Sequence, residues 1–284
     1  MIYPLPQRLI ATCHHKPEWE VWLAQLPAVL HALERRWELT LGMPFEGENV
    51  SCSWVASATR AQGTSVILKV GLPHFEGEQE LAGLRFWAGD PTVWVLEADD
   101  VHNAFLLERC EPGTLLRTLP EPEQDAVLAQ MLKRLWRKPP GEVFRPLSKM
   151  LTFWGDETRA DEAHWPDPGL VRAGLALFDE LARPSPDDVL LATDLHASNI
   201  LAAQREPWLV IDPKPFVGDR AYDATQHLLN DGPHLRANPD ATIKRLADLL
   251  ELDPERVRLW LFARAAAEPR DNWFDNSLAR LLEP

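Results

Sequence analysis

Cysteine is scarce in this chain: three residues in 284, Cys13, Cys52 and Cys110. They are widely spaced and form no CxxC pair, which argues against a disulfide framework or a zinc knot. No run of about eighteen apolar residues occurs, so no membrane partner is expected. The segment "MIYPLPQRLIATC" lacks a basic stretch followed by an apolar one. A signal peptide is therefore not expected, and the expected location is the cytoplasm. Basic residues are also short: 29 Lys and Arg against 43 Asp and Glu, a formal net charge of −14. Nucleic acid is excluded as the expected partner, because phosphate binding requires clustered cations. A cationic ligand would be drawn to such a field, although acidity also serves solubility.

What remains is the balance of a folded protein, 45% apolar and 25% charged, long enough for one or two domains. "WEVWLAQLPAVLHALERRW" (19–37) carries Val21, Leu23, Leu26, Val29, Leu30 and Leu33 on a helical stripe, with Pro27 as a possible kink. Strand-like segments follow at 50–58, 64–71, 92–100 and 103–110, with a helix expected over 77–89 between the second and third. That order describes a small antiparallel sheet carrying one helix. After "EPGTLL" (111–116) the pattern turns helical, with helices expected over 121–136, 168–182, 221–230, 242–250 and 254–268. The expected organisation is α+β: a mostly β lobe over 1–110, a mostly helical lobe over 111–284, and a cleft between them.

The segment "LLATDLHASNILAAQREPWLVIDPKP" (190–215) interrupts the helical half. Asp194 and Asn199 are five residues apart, a spacing that suits one compact loop. Asp212 follows a second apolar run, "WLVI", beyond a turn at "AAQREP". A short hairpin would hold the loop and Asp212 close together. A carboxylate and an amide oxygen are hard ligands of the kind Mg²⁺ takes beside substrate phosphates. A second carboxylate can then orient or deprotonate a hydroxyl. Together these are the parts of a phosphoryl-transfer site.

D-L-H-A-S-N followed by I-D-P resembles the catalytic loop and metal-binding aspartate of the protein-kinase-like superfamily. More closely it resembles the aminoglycoside phosphotransferase family, whose usual loop reads H-G-D-L-H-x-x-N. "WLVIDPKPFVGDRAYD" (208–223) is similar to the branch of streptomycin 6-phosphotransferases and hydroxyurea phosphotransferases. The resemblance implies a two-lobed protein-kinase-like fold, ATP (with GTP as the alternative donor) and Mg²⁺. It implies Asp194 as the catalytic residue that positions the acceptor hydroxyl, and Asn199 and Asp212 as metal ligands. Lys69, in "VILKVG", matches the strand lysine that meets the nucleotide phosphates. Glu80 matches its helix glutamate, with Glu76 and Glu78 near enough to compete. "LLERC" resembles the hinge strand, so Glu108 and Cys110 would offer main-chain groups to the adenine. His196 matches the loop histidine, either a support of loop geometry or a phosphate contact. The phosphate-covering loop falls in "PFEGENVSCSW" (44–54), where Gly47 offers a turn and Ser51 and Ser53 are candidate phosphate donors.

Two departures stand out. Ala192-Thr193 replaces the usual His-Gly, and no GxGxxG is present. The second favours antibiotic kinases over protein kinases, as does the absence of an activation segment with D-F-G and A-P-E. The implied acceptor is a small cationic aminocyclitol such as streptomycin. An endogenous sugar, amino alcohol or hydroxyurea-like compound is the nearest alternative, and a non-catalytic nucleotide-binding module is the alternative of another class. Asp219 and Asp223 are candidate caps of the helix at 221–230, whereas the resemblance implies that they brace the site; Glu268, Asp271 and Asp275 are read as solvated residues able to face a cation.

Overall fold

The structure is a computed structural model, and it describes residues 3–46, 51–230, 232–269 and 276–284. Gly47, Asp271 and Asp275 lie outside the described residues. The described chain forms two compact units. The first holds the residues up to Thr114 together with Leu201–Ile211, and the second holds Leu115–Ile200 and the residues from Asp212 onward.

In the first unit, α1 (Gln7–Cys13) and α2 (Pro17–Arg36) precede β1 (Leu39–Pro44), β2 (Ser53–Arg60) and β3 (Ser65–Gly71). Then come α3 (Glu80–Trp87), β4 (Val95–Asp99) and β5 (Ala104–Glu108). The five strands form one antiparallel sheet in the order β1-β2-β3-β5-β4. Alternation along β3 decides its use: Val66, Leu68 and Val70 enter a core with Leu26, Leu30, Leu33, Trp54 and Leu106. Ile67 falls on the opposite face, with Leu81, Leu84, Phe105 and Leu107. Lys69 shares that face by the same period of two, which turns it toward α3.

Several boundaries differ from the sequence expectation. The helix α2 runs through Pro27 without a break; a proline forfeits one hydrogen bond, and the buried stripe of Leu26, Leu30 and Leu33 outweighs that loss. Val21, placed on the stripe from sequence, is exposed. The segment before α3 is a 3₁₀ turn over Glu76–Gln79, and β4 begins at Val95 rather than at residue 92.

The second unit contains α4 (Glu121–Leu135), α5 (Leu147–Ala160), α6 (Pro168–Leu181) and β6 (Val189–Leu191). β7 (Ile200–Ala202) pairs with β8 (Trp208–Val210) as the short hairpin, most of which joins the first unit. β9 (Phe216–Gly218) returns antiparallel to β6, with Leu190 opposite Val217. The helices α7 (Arg220–Asn230), α8 (Gly232–Ala237), α9 (Pro239–Leu250), α10 (Pro254–Ala267) and α11 (Ser277–Leu282) complete it. α10 is buried nearly all round, through Val257, Trp260, Leu261, Phe262, Ala263, Ala266 and Ala267. Gly174 of α6 permits this: a Cβ there would stand 2.8 Å from the Ala266 Cβ and 2.9 Å from the Ala267 Cβ. Asp219 caps α7 through the Ala221 N–H at 3.0 Å. It also accepts from Trp260 Nε1 at 2.7 Å and Arg256 Nε at 2.5 Å, which ties α7 to α10. Among the described residues no helix is long and apolar enough to cross a membrane.

Candidate active site

Burying an ammonium on β3 is costly unless an opposite charge meets it. Lys69 Nζ meets Glu80 Oε1 at 2.6 Å, and both residues are about 5% exposed. Glu80 opens α3, where the helix dipole favours a carboxylate. Of the three glutamates in reach from sequence, Glu80 makes this 2.6 Å pair.

The hinge expectation gains a part that sequence reasoning missed. Glu108 closes β5, and its carboxylate is clamped by Arg205 Nε and Nη2 at 3.0 Å. The same guanidinium donates to Gly89 O and Thr92 O, each at 2.9 Å, and stacks 4.3 Å from the Trp94 ring. Side-chain identity at 108 therefore matters: the hairpin turn is riveted to the end of β5. Cys110, two residues on, is buried, and burial beside Glu108 pushes its thiol up to about 12. It is an apolar wall and no nucleophile. All three cysteines are free thiols. Ser51 is partly buried, with its Oγ 3.6 Å from Cys52 Sγ.

In the second unit, β6 leads directly into the loop that carries Asp194. Thr193 has a φ of 48°, in the left-handed region where a β-branched residue is strained and glycine is at ease. This is the position of the family's usual glycine. Three contacts hold the turn. The Thr193 hydroxyl donates to Lys214 O at 2.5 Å. The backbone N–H groups of Ala192 and Thr193 donate to the two oxygens of Asp223, at 3.1 Å and 2.7 Å. Asp223 is fully buried on α7 and also accepts from Trp136 Nε1 at 2.9 Å. Burial raises its carboxyl to about 6, against the pull of those three donors. The turn through Ala192-Thr193 is thus supported from α7.

Asn199 is buried, and its Nδ2 donates to Asp194 O at 3.0 Å, closing the loop over five residues. His196 accepts from the Ser198 N–H at Nδ1, at 3.3 Å. Burial, with the charges of His227 and Arg117 nearby, lowers its pKa to about 4, so the ring is neutral. Asp212 follows β8 with a φ of 54°. Its carboxylate is paired with Lys214 Nζ, and the Lys214 N–H donates to Ala192 O at 2.8 Å. The Asp212 segment is in this way laced to the loop that presents Asp194.

Two residues unforeseen from sequence reach Asp194. Gln226 Nε2, one turn beyond Asp223 on α7, donates to Asp194 Oδ1 at 2.8 Å. Arg264 Nη2, from α10, donates to Gln226 Oε1 at 2.6 Å. The i, i+3 spacing of Asp223 and Gln226 puts both on one helix face, but it gives no sign that Gln226 reaches Asp194, 32 positions away. Arg264 is 3% exposed. Burial opposes its charge, yet Glu268 above all, with Tyr222 and Asp194, raises its pKa beyond the ordinary arginine value. Glu268, read from sequence as solvated, pairs with Arg264 Nε at 2.7 Å.

The Asn199 amide and the Asp212 carboxylate each offer a hard oxygen of the kind a divalent cation takes, the Asp212 carboxylate being paired here with Lys214 Nζ. Among the described residues no cluster of three or more His, Cys, Asp or Glu is placed to hold a metal without a substrate. Two such oxygens would suit Mg²⁺, which takes its remaining ligands from phosphates and water.

A five-stranded antiparallel sheet with α3 inserted between β3 and β4, followed by a helical unit with a β6–β9 ribbon, is a protein-kinase-like fold. Choline kinase LicA from Streptococcus pneumoniae matches it with a TM-score of 0.63 at 12% identity, covering 91% of this chain and 97% of that one. An ethanolamine kinase from Plasmodium vivax matches with a TM-score of 0.59 at 13% identity, over 86% and 80%. The chain is 35% identical to streptomycin 6-kinase of Streptomyces griseus over 258 residues, 87% of this chain and 83% of that protein. It is 34% identical to hydroxyurea phosphotransferase of Kitasatospora aureofaciens over 246 residues, 84% and 71%. The protein is a phosphotransferase. Residues 36–275 match the aminoglycoside/hydroxyurea antibiotic resistance kinase family, and the chain belongs to it.

Proposed function

We propose that the protein transfers the γ-phosphoryl group of ATP to a hydroxyl of a cationic aminocyclitol of the streptomycin class. The observation that carries this reading is the 35% identity to streptomycin 6-kinase along 87% of the chain. In this reading Lys69, held by Glu80, meets the α- and β-phosphates, and Ser51 donates to phosphate. The backbone of Glu108 and Cys110 meets the adenine. Asn199 and Asp212 hold Mg²⁺, which when bound neutralises phosphate charge. Asp194 accepts the hydrogen bond of the acceptor hydroxyl and aims its oxygen at the γ-phosphorus. His196, neutral and bonded within its own loop, keeps the loop's shape. Little covalent chemistry is asked of the protein; the rate comes from positioning and from charge placed in advance.

Hydroxyurea is the second acceptor, favoured by the 34% identity to a hydroxyurea phosphotransferase. Mass spectrometry of acceptors incubated with enzyme, Mg²⁺ and ATP or GTP separates the two. The expected outcome is one phosphoryl group gained by streptomycin with ATP as donor. Phosphate gained only by hydroxyurea, a sugar or an amino alcohol would keep the chemistry and discard the aminocyclitol.

A further inference from the structure

We propose that Gln226 and Arg264 are a positioning pair that sets the orientation of Asp194, and that the contact is an amide because a charged group there would spoil the site. The inference rests on the catalytic reading of Asp194.

The geometry leaves one assignment for the Gln226 amide. Arg264 can only donate and an ionised Asp194 can only accept. The amide oxygen must therefore face Arg264 Nη2, at 2.6 Å, and the amide nitrogen must face Asp194 Oδ1, at 2.8 Å. Arg264 is itself immobile. Its Nη1 donates to Thr225 Oγ1 at 2.7 Å, its Nε pairs with Glu268, and its plane lies 5.0 Å from the Tyr222 ring and 5.7 Å from the Trp154 ring. The Thr225 hydroxyl donates to Tyr222 O at 2.6 Å, so its oxygen is left to accept from Arg264. Asp194 is thus referenced through one amide to a buried cation on α10, and through the loop backbone to Asp223 on α7.

The choice of amide has a chemical consequence. A lysine or arginine in direct contact would form an ion pair with Asp194 and compete with the acceptor hydroxyl for its oxygens. Arg264 stands one residue away, with its charge answered by Glu268. The amide transmits direction without a formal charge. Misplacing a reacting group by about 1 Å costs on the order of 100-fold in rate, so this contact belongs to kcat rather than to nucleotide binding.

The discriminating variant is Gln226→Glu. It keeps the size of the side chain and strengthens the bond to Arg264, so a purely structural role would be preserved or improved. It also turns a carboxylate oxygen toward Asp194 in place of a donor. Gln226→Met removes the donor without adding charge and serves equally if Gln226→Glu does not fold. Each is measured beside wild type and Asp194→Asn by ADP release from Mg·ATP, with streptomycin and with water alone as acceptor, and by thermal melting. The expected result is a melting temperature close to wild type, a KM for ATP within about threefold, and kcat lowered about 100-fold. Asp194→Asn inactive while both Gln226 variants keep kcat within about threefold would overturn the positioning role alone. Asp194→Asn with wild-type turnover would overturn it too, and would locate the failure in the catalytic reading beneath it.

Discussion

At the scale of single residues, the loop before Asp194 shows how a strained turn is retained. Thr193 stands in a left-handed conformation that costs roughly 1–2 kcal/mol for a residue with a Cβ. Its hydroxyl repays part of this by donating to Lys214 O. Removing the hydroxyl alone takes this hydrogen bond from the part-buried Lys214 carbonyl, a loss of about 1–3 kcal/mol. Thr193→Val keeps the strain and loses the bond, whereas Thr193→Gly loses both together. Urea unfolding is expected to rank Thr193→Val below Thr193→Gly by about 1–2 kcal/mol, with Thr193→Gly close to wild type. The reverse order would show that left-handed strain at position 193 does not govern the stability of this turn. Nearby, Asp223 serves the loop as an acceptor for two consecutive N–H groups, a task that a carboxylate with two oxygens performs and an amide does not.

At the scale of elements, the crossing of α6 and α10 carries Arg264 to its place and depends on Gly174. Alanine is the better helix former by about 1 kcal/mol, but its Cβ would enter the space of Ala266 and Ala267. Gly174→Ala is therefore expected to cost about 1–3 kcal/mol in net stability. Gly155→Ala in α5 is the control, because the atom nearest its Cβ is the end of the Arg159 side chain, at 3.0 Å, which can move. A Gly174→Ala protein as stable as Gly155→Ala would contradict the close crossing. The elements legible in the sequence were those with a short apolar run or a clean period. β3 and β5 were marked by apolar runs, α2 by a leucine stripe, and the proposed site residues Lys69, Asp194, Asn199 and Asp212 by motif spacing. β1 was hidden, because its burial does not alternate. α1 was too short to show a period. The pairing of β6 with β9 spans three residues per strand and leaves no local signature. Arg205, Gln226 and Arg264 were invisible for a related reason: each acts on a residue 32 or more positions away or through one that does. Nothing in the neighbouring sequence announces such contacts.

At the scale of the whole molecule, the two units carry different shares of the proposed chemistry. Residues assigned to the nucleotide, Lys69, Glu80, Glu108 and Cys110, lie in the first, and Asp194, Asn199 and Asp212 lie in the second. A net charge of −14 would suit the proposed polycationic acceptor and would steer its encounter in a salt-dependent way. The central claim is that Asp194 orients an acceptor hydroxyl for phosphoryl transfer from Mg·ATP. The measurement that meets it most directly is streptomycin-dependent ADP release by wild type beside Asp194→Asn, with ATP affinity taken on both. The account predicts turnover in the wild type, its loss by several orders of magnitude in the variant, and nearly equal ATP affinity. Equal turnover in the two proteins would contradict it.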